Sequence, residues 1–382
     1  MNHKQMDDII VKFIGNYITD EELTQLNSWL QDKNNSVYFD EFIKINYLIN
    51  LKLPFDKESS LNALKNHIKA EKSKKKKRAI SYITVASVAL LIALTVFFKK
   101  DNLPVSTPTV VKNTIKIGTD KAVLTLEDGT DIALEKGQNY KDGNLESNGE
   151  NITYNEQSKP NTEISYNYLT IPRGGQFHVV LADGSQVWLN SETKLKYPTT
   201  FVNGLDRKVE LIYGEAYFDV SPSTAHQGSK FKVVTKTQEV QVLGTQFNIK
   251  AYKEEKFVYT TLVEGKVALA HGSNLDVLSP NQQSILNTSN SDFIITKVDT
   301  YSEIAWKKGL FSFRNKNLKD IMVVLSRWYD VDFVFADKKL ENIQFKGVLS
   351  RNQNIEEILT LIKNTNYIND YVIDNNIITL KN

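Results

Sequence analysis

VVLADGSQVWL (residues 179–189) decides how this chain folds. Apolar side chains alternate on both sides of Asp183-Gly184, a pair that supplies the positive φ of a tight turn, so the stretch reads as a β-hairpin. LTLEDGTDIAL (residues 124–134), offset by 55 residues, repeats the pattern around Asp128-Gly129. No third copy follows, which argues for a repeated hairpin and against a solenoid. Strands punctuated by glycine or proline continue at 208–213, 216–220, 231–235, 240–242, 247–252, 257–262 and 266–270. That density predicts an all-β sandwich or roll over residues 115–300. Residues 137–162 are polar and contain glycine, and read as a loop or weak hairpin.

Beyond the strands the period changes. From Trp306 onward strand and helix alternate: residues 310–313 are a short strand, Asn317 caps a helix with Leu318, Ile321, Met322 and Leu325 on one face, and 331–335 return as a strand. The order recurs with a strand at 343–348, a helix capped by Asn354, and a hairpin across Asp374-Asn375. Residues 306–382 are therefore expected to form an α+β (βαββαβ-like) domain of two βαβ halves.

Upstream, helical spacing dominates residues 1–72. Ile9, Ile10, Phe13, Ile14 and Tyr17 form one stripe, and Leu23, Leu26 and Leu30 another. Thr19-Asp20-Glu21-Glu22 between them is a capping box. Phe39, Phe42, Ile43 and Tyr47 mark a third helix, and Leu61, Leu64 and Ile68 a fourth. Next comes AISYITVASVALLIALTVFF (residues 79–98), twenty uncharged residues, about 30 Å as a helix and matched to a bilayer core. It reads as one transmembrane helix. Seven basic side chains in residues 69–78 against Lys99 and Lys100 beyond the run place the N-terminal part in the cytoplasm. Residues 99–114, with two prolines, read as a periplasmic linker. The expected class is thus a multidomain membrane protein with a small all-α cytoplasmic domain, one span, an all-β periplasmic domain and an α+β domain.

Chemistry is hard to find. The chain has no cysteine, which excludes disulfides, thiolate zinc sites and cysteine nucleophiles. Five histidines are scattered without metal-ligand spacing and read as surface or turn residues; no phosphate loop, nucleophile elbow or dinucleotide fingerprint occurs. Trp188, Trp306 and Trp328 suit packing better than a sugar platform. No enzyme activity, cofactor or metal is expected. The basic run suits a topology signal better than direct nucleic-acid binding.

The residues themselves resemble the FecR family of transmembrane anti-sigma regulators in its Bacteroidetes form. The stretches that carry the likeness are YITDEELTQLNSWL (17–30), IPRGGQFHVVLADGSQVWLNSETKLKYP (171–198), VELIYGEAYFDV (209–220), VQVLGTQFNI (240–249), LVEGKVAL (262–269) and WKKGLFSFRNKNLKDIMVVLSRWYDVDFVF (306–335). LSPNQQSIL carries Asn281 where the family usually has glycine. The C-terminal part is similar to the short signalling domain of TonB-dependent receptors and secretins. The resemblance implies a single-pass inner-membrane protein that holds an extracytoplasmic-function (ECF) sigma factor in the cytoplasm, with Leu23, Leu26, Trp29 and Leu30 as contact candidates. It also implies a periplasmic partner, the signalling domain of a ligand-loaded TonB-dependent outer-membrane receptor. Some members are cut at a Gly-Thr step, here Gly244-Thr245, where the threonine hydroxyl would attack the preceding carbonyl; a bulge or turn is the other reading of that glycine. A membrane-tethered periplasmic adhesin or glycan-binding module is the alternative function.

Overall fold

The computed structural model describes residues 115–382 apart from 144, 155–163, 272–273 and 366. Of the N-terminal part it describes residues 18–32 and positions 6, 9, 10, 12, 13, 35, 38 and 39. The chain divides into two compact units, Met1–Thr114 and Ile115–Asn382. In the first, α1 (Asp20–Trp29) starts on the expected capping box: the Glu22 amide donates to Thr19 Oγ1 at 3.3 Å, and the Thr19 amide donates to Glu22 Oε2 at 3.1 Å. The expected span at 79–98, its basic flank, the linker 99–114, the helix expected near 61–68 and most of the one at 39–47 lie outside the described residues.

The expected fold class is corrected. Strands predominate, and among the described residues no helix is long and apolar enough to cross a membrane. The longest, Leu318–Tyr329, has 12 residues, about 18 Å at 1.5 Å per residue, short of a hydrocarbon core of about 30 Å. A small all-α domain with a spanning helix therefore does not characterise the described molecule. Its character comes from alternating strands that run from Thr119 to Lys381.

Both Asp-Gly hairpins form. β1 (Thr119–Thr125) pairs with β2 (Asp131–Glu135). The stretch read as a loop or weak hairpin holds three short antiparallel strands, β3 (Tyr140–Asp142), β4 (Leu145–Ser147) and β5 (Asn151–Tyr154), because Leu145, Ile152 and Tyr154 bury one face. β6 (Tyr166–Ile171) precedes the second hairpin, β7 (Gly175–Val180) with β8 (Gln186–Leu189). β9 (Thr193–Pro198) leads to β10 (Arg207–Asp219), then β11 (Phe231–Val234), β12 (Glu239–Val242), β13 (Gln246–Ala251), β14 (Phe257–Glu264), β15 (Val267–His271), β16 (Asn274–Leu278), β17 (Gln282–Asn287) and β18 (Phe293–Lys297).

β10 organises this half. The sequence suggests two strands separated by Gly214; the structure has one strand of 13 residues that changes sheets in its middle. Its first half pairs with β9 and β11, its second with β8 and β13. A register shift between Leu211 and Tyr213 makes the bend, and Gly214 (φ 104°) permits it, since a Cβ there would lie 2.3 Å from Thr193 Oγ1. The two sheets enclose one core that includes Leu124, Phe218, Phe231 and Phe247.

The C-terminal half begins with α2 (Thr300–Glu303), followed by β19 (Leu310–Asn317), α3 (Leu318–Tyr329), β20 (Asp332–Phe335), β21 (Gln344–Ser350), α4 (Ile355–Lys363), β22 (Asp370–Asp374) and β23 (Ile377–Lys381). The expected order of elements is present, but the two βαβ halves interlock. β19 pairs with β21, and β20 pairs in parallel with β23, so each small sheet takes strands from both halves. Leu318, Ile321, Met322 and Leu325 face a second core with Ile355, Ile358, Leu359 and Ile362 of α4. Asn354 caps α4 by accepting the Glu357 amide at 2.9 Å, whereas Asn317 occupies the cap position of α3 without a side-chain bond.

Candidate functional site

The two cores of the second unit are separate clusters, and what joins them is a seam of cations. Three arginines and a lysine cross it. Arg173, in the β6–β7 turn, reaches the end of α3: its guanidinium donates to the carbonyls of Ser326 (3.1 Å) and Val331 and pairs with Asp332 (2.9 Å) and Asp330 (3.4 Å). The Gly174 amide donates to the Arg327 carbonyl at 2.7 Å. A helix leaves its last carbonyls without intrahelical partners and favours a cation there. The β half therefore caps a helix of the C-terminal half.

Arg327 runs the opposite way. It pairs with Glu254, with Glu255 at 2.9 Å and with Glu192 at 3.3 Å, and lies over the Tyr252 ring at 3.5 Å. Burial opposes its charge, but Tyr252, Glu255 and Glu254 more than compensate and raise its pKa. Arg351 is the most enclosed. It stacks on Trp328 at 3.6 Å, donates to Asn190 Oδ1 at 3.0 Å and to the Trp306 carbonyl at 3.2 Å, and burial lowers its pKa to about 10. Asn190 and Asn248 both donate to Glu215, a buried carboxyl whose pKa is raised by desolvation. Lys307 closes the far end, 3.6 Å over Trp188 and 4.2 Å over Tyr217.

A cleft of about 610 Å³ opens along the seam, lined by Glu254, Tyr259, Val323, Val324 and Trp306 among others. Among the described residues no group of three or more acids and histidines is placed to hold a metal ion. The arrangement is one of ion pairs, helix-capping bonds and ring contacts; among the described seam residues no nucleophile is set against a base.

None of these arginines stands out in the sequence, because a buried arginine and a surface one carry the same period. One usable signal was Asn190-Ser191-Glu192, three successive polar residues straight after a strand, all of which serve the seam. The tryptophans pack: Trp306 and Trp328 are buried and Trp188 is covered by Lys307. His271, expected at a surface or turn, is buried against Phe293 and bonds Asp276 at 2.9 Å. Gly244-Thr245 is the turn from β12 to β13. Gly244 has φ 147°, and the Thr245 hydroxyl donates to the Lys266 carbonyl at 3.0 Å.

In the first unit Leu23, Leu26 and Trp29 are buried together with Ile9, Ile10 and Phe39, and Leu30 is half-buried. Trp29 meets Tyr38 edge-on at 6.0 Å. Replacing Trp29 by alanine should cost about 3–5 kcal/mol, the usual loss for a buried aromatic. Loss of helical circular dichroism at a lower temperature would show it; an unchanged melt would place Trp29 outside the core.

Comparison with known proteins separates the same two halves. A family described as "FecR protein" matches residues 167–268, and one described as "FecR, C-terminal" matches residues 310–380. A crystal structure of a proposed anti-sigma factor from Parabacteroides distasonis, at 1.65 Å, is 30% identical with a TM-score of 0.51, and the match covers 56% of this chain and 99% of that one. The chain belongs to the FecR family of anti-sigma factors. A second crystal structure of a proposed anti-sigma factor from that organism, at 2.50 Å, is 29% identical with a TM-score of 0.50, covering 56% of this chain and 98% of that one. No curated protein matches. In this FecR-family protein the seam is where the two family regions meet: Arg173, Glu192 and Glu254 lie in the first, Arg327 and Arg351 in the second.

Proposed function

We propose that this anti-sigma factor holds an ECF sigma factor through residues 1–72 and passes to it the state of a ligand-loaded TonB-dependent outer-membrane receptor. The observation that supports the relay most is the seam: both FecR regions close into one compact unit, so a partner on the C-terminal half acts on the whole of residues 115–382. An inner-membrane location with the N-terminus in the cytoplasm is part of this reading, on the seven-to-two basic asymmetry around residues 79–98. A periplasm-active reporter fused after Lys112 should work, and one fused after Leu53 should not; the reverse pattern would refute the topology. A glycan-binding role loses its support with the burial of Trp306 and Trp328.

The receptor is proposed to meet β22, which among the described residues pairs only with β23 and carries the exposed Val372. Such an edge offers unpaired backbone groups to an added strand. Val372→Lys, on an exposed position, should leave the chain folded but cut the ligand-induced sigma response about tenfold or more, the scale of an interface hot spot. An undiminished response would remove β22 from the contact.

A further inference from the structure

The chain enters its second unit beneath the seam. Ile115 packs against the C-terminal core. Gly118 lies against the Trp328 ring so closely that a Cβ would fall 2.5 Å from it. The Thr119 amide donates at 3.0 Å to the carbonyl of Gly174, in the same turn that caps α3. The two apolar cores are separate clusters, so parting the halves loses mainly ion pairs, helix-capping bonds and ring contacts, and uncovers the C-terminal core only where Ile115 and Gly118 lie against it.

We propose that the seam is a releasable latch, and that opening it unseats the chain entry at Ile115–Thr119. Arg327 and Arg173 hold it from opposite sides. With both engaged, the Trp328 ring stays over Gly118 and β1 stays anchored at its first residue. When they let go, the ring lifts with α3 and the entry segment is freed, which turns a pull on the C-terminal half into a change at the end of β1. The proposal rests on the reading that residues 115–382 receive the signal, and it names how that signal leaves the unit.

The absence of native cysteine makes a direct test available. In the purified full-length protein Ile115→Cys supplies the only thiol, at a partly buried position, and the change in its rate of reaction with a maleimide from one variant to the next reports the change in exposure of the entry. Arg327→Glu, set against Glu192, Glu254 and Glu255, should raise that rate about tenfold or more. Adding Glu192→Lys and Glu254→Lys, with Glu255 left to Lys250, should bring it back toward the parent. Arg173→Gln, which removes the cap of α3 without reversing a charge, provides a second opening variant should Arg327→Glu fail to fold. An unchanged labelling rate in both opening variants, or a rate that the charge swap leaves high, would overturn the latch. A sigma-dependent reporter measured in parallel separates the two readings: labelling that rises while the reporter stays silent supports the latch and counts against the relay.

Discussion

Arg207→Met is expected to destabilise the second unit by about 3–5 kcal/mol, the cost of leaving one member of a buried ion pair without its partner. The side chains of Arg207 and Asp183 are each 2% exposed, with Nη1 and Oδ2 2.7 Å apart. The guanidinium also donates to the carbonyls of Ser221 and Ser229 at 3.0 and 3.1 Å. Asp183 in turn accepts the amide and the hydroxyl of Ser185, so it serves as turn residue and counter-ion at once. Methionine fills much of the volume but strands a carboxylate and two carbonyls. Thermal unfolding should start roughly 10 °C lower in a unit of this size. Arg207→Met with Asp183→Leu should recover part of the loss, because an apolar pair of similar volume is often tolerated where half an ion pair is not. A single variant as stable as the parent would show that the pair is not worth what its burial implies.

Trp328→Ala should cost a similar amount, about 3–5 kcal/mol, and do so in two places. The ring is buried in the C-terminal core, donates from Nε1 to the Arg351 carbonyl at 2.8 Å, carries the Arg351 guanidinium on one side and has Gly118 close against it. Alanine leaves a cavity and removes the surface on which a buried arginine rests. Trp328→Phe keeps the ring face but loses the N–H, and should cost about 1–3 kcal/mol, the price of an unsatisfied buried acceptor. Denaturant midpoints of the two variants check the order. Equal losses for alanine and phenylalanine would mean that the hydrogen bond, and not the ring, carries the contribution.

How far the sequence leads depends on whether a feature is local. The Asp-Gly hairpins, the Thr19 capping box and the Asn354 cap are written within a few residues of one another, and each forms as read. β10 is misread as two strands because Gly214 looks like a break, whereas a glycine at a bend lets one strand serve two sheets. β3 to β5 are legible only as a loop or weak hairpin because their apolar residues are few, although those few are buried. The expected class gives a small all-α domain and a spanning helix equal standing with the β and α+β domains, whereas strands predominate and no helix among the described residues is long and apolar enough to cross a membrane. The seam is the least legible part. Arg327 follows an ordinary helical period and Arg351 sits in an ordinary turn, and only the fold brings Glu192, Glu254 and Asn190 to meet them.

Whether this FecR-family protein holds a sigma factor is decided by co-purification. Full-length protein, extracted under native conditions with a C-terminal affinity tag, should bring an ECF sigma factor with it, while a variant lacking residues 1–72 should bring none. Equal recovery of the sigma factor by the truncated chain, or none with either, would contradict the claim.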